Sequence, residues 1–68
     1  MNLLLLQPEN MLSDTLAEIS GRQVIHIHKT LNVQEGSTLT VGLLNEKIGL
    51  ATLVELKENS AKLDIFWT

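Results

Sequence analysis

The chain has 68 residues, room for one hydrophobic core and no second lobe, since a domain this short buries only about 60% of the surface its unfolded form exposes. Leu, Ile, Val and Phe make up about a third of it, above the roughly 20% below which chains stay disordered, and the absence of cysteine excludes a disulfide framework or a thiolate zinc site. Eight carboxylates against five cations give a net charge of -3, which argues against strong autonomous nucleic-acid binding, because that affinity rests on cations displacing counterions from phosphates.

Leu3 to Leu6 is an uninterrupted apolar run, the pattern of a strand buried on both faces or placed centrally in a sheet, and Pro8, which cannot donate to a ladder, marks its end. No positive residue precedes the run, and Gln7-Pro8-Glu9 stops it well short of the roughly 7–15 apolar residues of a secretory leader. Nothing else approaches the about 20 apolar residues of a membrane span, so the expected location is the cytoplasm. After a polar turn at Asn10 to Asp14, Leu16, Glu18 and Ser20 alternate with Ala17 and Ile19, which predicts a second, weaker strand.

Ser20-Gly21-Arg22-Gln23 fits a capping box, with the serine hydroxyl accepting from a backbone N–H three residues on and the glutamine reaching back. Val24, Ile27 and Leu31 then follow at i, i+3 and i+7, one stripe of a helix. Ile25-His26-Ile27-His28 also alternates like a strand, and the β-branched residues here weaken helix propensity, so periodicity by itself leaves both readings open. The capping signature and the heptad-like spacing together favour a short helix over about 21–31.

Glu35-Gly36-Ser37 reads as a turn in which Gly36 supplies a positive φ. Leu39, Val41 and Leu43 alternate with Thr38, Thr40 and Gly42 in a half-buried strand, where Gly42 is a candidate bulge. Asn45-Glu46-Lys47 is a polar break of hairpin length, Ile48 to Leu56 a long strand, and Lys57 to Ser60 a second break. The last strand places Leu63, Ile65 and Trp67 on one face and Lys62, Asp64 and Phe66 on the other. Five to six short strands with turns roughly every ten residues and one short helix predict a mainly β domain, a small barrel or curled sheet.

Few residues carry chemistry. His26-x-His28 has the look of a metal pair on a strand, but on a helix the two imidazoles diverge, and no Cys or further His completes a zinc site. Ser13, Ser20, Ser37 and Ser60 fall in turns or a cap, where hydroxyls serve the backbone, and no nucleophile elbow or phosphate-binding glycine spacing is present. No catalytic residue is expected. The one concentrated set of donors is Arg22, His26 and Lys29, which at i, i+4 and i+7 line one helical face and form either a solvated surface or an RNA contact strip.

Met1-Asn2-Leu3-Leu4-Leu5-Leu6 with Pro8-Glu9, then Ser20-Gly21-Arg22-Gln23, His26-Ile27, Leu31, Gly36, and Val41-Gly42-Leu43-Leu44-Asn45 to Gly49 resemble the amino-terminal region of one family, in this order and over nearly the whole chain. That family is the 16S ribosomal RNA (uracil-N3)-methyltransferases. The resemblance implies a PUA-like β-barrel over 1–68, the amino-terminal part of a longer protein. A knotted domain beyond it would bind S-adenosylmethionine, transfer the methyl group and form a homodimer, leaving no cofactor for the present chain. The partners so implied are 16S ribosomal RNA or the small ribosomal subunit, and the protein's own carboxy-terminal methyltransferase domain. Carried over by position, the family's RNA-facing residues fall on Arg22, His26 and Lys29, with Asn32 standing where the family commonly has arginine.

Overall fold

The computed structural model describes residues 3–31, 33–43 and 47–68, with the backbone alone for Thr30 and Leu31. The alternation predicted from sequence becomes five strands: β1 (Leu3–Leu6), β2 (Leu16–Ser20), β3 (Thr38–Leu43), β4 (Lys47–Leu56) and β5 (Ser60–Trp67). They form one sheet in the order β1-β3-β4-β5-β2, parallel between β1 and β3 and antiparallel elsewhere. The sheet curls into a half-barrel, and the chain is mainly β with one short helix, as the sequence predicts.

Curling gives the sheet a concave inner face, which takes every second residue of each strand. Leu4, Leu6, Ala17, Ile19, Leu39, Val41, Leu43, Ala51, Leu53, Ala61, Leu63 and Ile65 are buried there in one cluster. Residues with large fully buried side chains, such as Leu6, Ile19, Leu53 and Leu63, each contribute about 1.5–3 kcal/mol by leaving water. A helix closes the open side. It runs from Arg22 to His26 as α1 and continues from Ile27 to Leu31 as a π-helical turn, and Val24 and Ile27 drop into the core. The side chain of Leu31, third in the expected stripe, lies outside the described residues.

Three local expectations are corrected. Leu3–Leu6 is not central but an edge strand paired on one side only, so Leu4 and Leu6 are buried while Leu5 faces out. An apolar run is therefore no proof of two-sided burial, because sequence cannot show which strands lack a neighbour. The capping box does not form: Ser20 is still paired in β2, opposite Ser60, and Gly21 at φ 61° turns the chain into the helix. Its carbonyl accepts from the N–H groups of Val24 and Ile25 at 3.1 and 3.2 Å. Nor is Gly42 a bulge. It pairs regularly with Ile48, and the register shift falls between Leu53 and Glu55 in β4, where an extra residue bends the long strand and deepens the curl.

Gly36 does turn the chain at φ 90°, and its N–H donates to Leu53 at 2.8 Å. Gly49 answers a different need. It faces inward opposite Trp67, and a Cβ there would stand 2.8 Å from the Phe66 carbonyl oxygen and from the Trp67 ring.

The two sheet edges, β1 and β2, share no ladder among the described residues. Two side-chain amides join them instead. The Gln23 Nε2 group donates to the Leu5 carbonyl on β1 at 3.1 Å, while its Oε1 accepts from Asn10 Nδ2 at 3.2 Å. Asn10, in the 3₁₀ turn Pro8–Asn10, also donates to the Glu18 carbonyl on β2 at 3.3 Å and accepts from the Gln7 N–H at 2.9 Å. Donors meet acceptors at each link, which fixes the orientation of both amides.

Candidate nucleic-acid interface

Arg22 and His26 stand one helical turn apart on α1, whose opposite side is anchored in the core by Val24 and by Ile27 just after it, while the Gln23 amide ties the helix to β1. That docking sets the helix beside the free edge of β1. Between them lies a groove of about 270 Å³, lined by Leu3, Leu4, Leu5, Arg22, Gln23 and His26. Arg22 is exposed and His26 half-buried, so the groove has cationic and imidazole donors above an apolar floor.

The lining residues include no carboxylate. No Asp or Glu occurs between Glu18 and Glu35, although the chain as a whole is acidic. Among the described residues one ion pair forms, Lys57 with Glu55 at 3.1 Å, far along the sequence at the β4–β5 turn. The Lys57 ammonium, by hydrogen bond and by charge, holds the Glu55 carboxyl below its ordinary range. Arg22 and Lys29 thus carry their charges without a carboxylate partner among the described residues.

Of the four site residues expected from sequence, the structure brings Arg22 and His26 into the groove. Lys29 is exposed but sits in the π-helical turn, which advances each residue through a smaller angle than an α-helix and so carries it off the Arg22–His26 line. Asn32 lies outside the described residues. His28 is exposed and separated from His26 around the helix, and no group of three or more His, Asp or Glu among the described residues is placed to hold a metal ion.

Two further surfaces take their shape from strand neighbours rather than from local pattern. A cleft of about 230 Å³ opens at the barrel end between Pro8, Ser13, Asp14, Lys47 and Trp67. Here the Trp67 indole N–H donates to the Asp14 carbonyl at 2.7 Å, and the Lys47 ammonium lies 4.8 Å from the ring centroid. The Gly49–Trp67 pairing brings Lys47 and Trp67 together, so only the hairpin register could have revealed them. The second surface is the outer face of the sheet. Leu5, Ile48, Leu50 and Phe66 are 57%, 57%, 48% and 75% exposed, and register aligns Leu3, Thr40, Leu50 and Phe66 in a row across four strands. Phe66 was legible as an outward residue, but its apolar neighbours come from two other strands, β1 and β4.

No protein-family model and no curated protein matches the chain. Solved structures do. A predicted RNA methyltransferase of Thermotoga maritima superposes with a TM-score of 0.77 at 17% identity, over 97% of this chain and 29% of its own. The chain shares its fold with part of that protein. A second structure, described as a hypothetical protein, gives a TM-score of 0.80 at 14% identity over 97% of this chain and 28% of its own. The present chain therefore spans less than a third of the length of either neighbour. No helix among the described residues is long and apolar enough to cross a membrane.

Proposed function

We propose that this chain is the PUA-like RNA-recognition domain of a cytoplasmic 16S ribosomal RNA (uracil-N3)-methyltransferase, and that it seats the ribosomal substrate for chemistry carried out on another domain. The observation that carries this reading is the placement of Arg22 and His26 at one groove, on a helix free of carboxylates in an otherwise acidic chain. The fold likeness to a predicted RNA methyltransferase more than three times as long supports it, since such a protein has length for a separate catalytic domain. The two grooves described, of about 230 and 270 Å³, are open clefts at the small end of the roughly 300–1,000 Å³ of pockets that engulf a cofactor. On this reading the methyl donor belongs to a carboxy-terminal domain, which also forms the homodimer.

The test is methylation of small ribosomal subunits by the full-length protein carrying Arg22→Ala. Arg22 is exposed and makes no ion pair among the described residues, so stability should change by no more than about 0.5 kcal/mol. The kcat/KM should fall about tenfold, the equivalent of one charged phosphate contact. Undiminished methylation would remove Arg22 from the interface.

The apolar outer face favours a second reading, in which the domain chiefly packs against the rest of the enzyme or its dimer partner through Leu5, Ile48, Leu50 and Phe66. The two readings place contacts on different faces. Amide signals that move at Arg22 to Lys29 on adding ribosomal RNA support recognition, and signals that respond only to the catalytic domain, around Leu50 and Phe66, support packing.

A further inference from the structure

The groove between β1 and α1 has a shape and chemistry that narrow its occupant. Its floor is apolar, lined along β1 by Leu3 and the exposed Leu5 with Leu4 buried between them, its wall carries the Arg22 guanidinium and the His26 imidazole, and no carboxylate lines it. At about 270 Å³ and open to solvent it covers only part of an occupant, whereas pockets for free metabolites bury most of the ligand. An occupant that size is one unit of something held elsewhere as well. An added peptide strand is disfavoured, because the Gln23 amide already occupies the Leu5 carbonyl within the free edge of β1.

Resting on the RNA-recognition reading above, we propose that this groove seats a single unstacked nucleotide of single-stranded RNA. The base lies flat on Leu3 and Leu5, the phosphate meets the Arg22 fork, and His26 bonds the base edge or the ribose. A guanidinium matches the phosphate oxygens in geometry and charge. Leucine methyls offer a surface that any base face can cover, and a neutral imidazole supplies one donor and one acceptor for the polar rim of a nucleoside. Duplex RNA keeps its base faces in the stack and can reach only the cations, so the apolar floor selects single strands.

Isotope-labelled chain titrated with a tetrauridylate, with a base-paired RNA hairpin stem and with inorganic phosphate separates the cases. The single strand should shift the Leu3 and Leu5 methyl signals together with the Arg22 side chain, saturably. Arg22→Gln should weaken that binding about 5- to 10-fold and flatten its log–log salt dependence by about 0.7, the share of one phosphate on a single strand. Leu5→Thr keeps an exposed β-former at the position and should weaken the single strand at least about threefold while leaving stem binding unchanged. Shifts at Arg22 and Lys29 with silent leucine methyls, or equal leucine shifts from the stem, overturn the nucleotide seat and leave the RNA-recognition reading standing. Phosphate reproducing the whole pattern reduces the groove to an anion site and also overturns the seat. If neither RNA moves any signal from Arg22 to Lys29, the recognition reading itself fails and takes the seat with it.

Discussion

Replacing Asn10 with alanine tests whether two amides hold the half-barrel shut. The substitution removes three hydrogen bonds at once, from the Gln7 N–H at 2.9 Å and to Gln23 Oε1 and the Glu18 carbonyl at 3.2 and 3.3 Å. A typical bond contributes about 0.5–1.5 kcal/mol net. Two of these are long and the group is only half-buried, so the sum should lie near the low end, about 1–2 kcal/mol. With a urea slope of about 1 kcal/mol/M for so small a domain, the unfolding midpoint should fall by about 1–2 M. Because Gln23 holds β1 and Asn10 holds β2, removing either should largely cancel the benefit of the other. The double variant Asn10→Ala/Gln23→Ala should therefore cost less than the two single changes added together, by about 0.5 kcal/mol or more. Amide exchange should quicken first along β1 and β2, the two strands the clasp joins, ahead of β3, β4 and β5. A midpoint no lower than that of Glu9→Ala, an exposed neighbour, or two losses that simply add, would show that the seam is closed by packing alone.

Gly49→Ala should cost about 1–3 kcal/mol, because its new methyl meets the Phe66 carbonyl and the Trp67 ring at 2.8 Å, whereas Gly42→Ala, whose nearest neighbour is a Leu5 methyl at 3.6 Å, should cost clearly less. Urea midpoints compare the two, and a shift in Trp67 fluorescence should accompany only the first. The Glu55 carboxyl should titrate below its ordinary value near 4.5 and return to it in Lys57→Ala, as read by side-chain carbon shifts. Its folded pKa being the lower one, the pair adds stability above the unfolded value and loses it as pH falls through the folded value, so Lys57→Ala should remove that increment above the unfolded value and flatten the acid limb. An unchanged Glu55 titration would deny the contact.

Strand positions were legible wherever alternation was strict. Ala17 and Ile19, Leu39 and Val41, Leu63 and Ile65 each announce an inward face, and all are buried. The helix was legible through Val24 and Ile27 despite its β-branched residues, since burying that stripe outweighs the small propensity loss. Edge placement of β1, the bulge after Leu53 and the outer apolar row depend on which strands are neighbours, and local pattern carries no such information. The same holds at the groove. Arg22 and His26 were visible at their helical spacing, but the leucine floor belongs to a strand some 20 residues earlier, and Gln23 was assigned to a cap when its amide reaches back to that strand. The wider turn that displaces Lys29 has no signature in residue type.

The parallel pairing of β1 with β3 has a kinetic side. Leu3–Leu6 leaves the ribosome before the other four strands, yet its ladder partner among the described residues, Thr40–Leu43, is made some 35 residues later. For that interval four consecutive leucines have no strand to lie against, and the antiparallel hairpins from β3 onward, built from near neighbours in sequence, are the ones able to form early. Docking of the first strand supplies the leucine side of the groove, so a nascent chain lacks that side, and keeps the run open to chaperones, at least until β3 has been made.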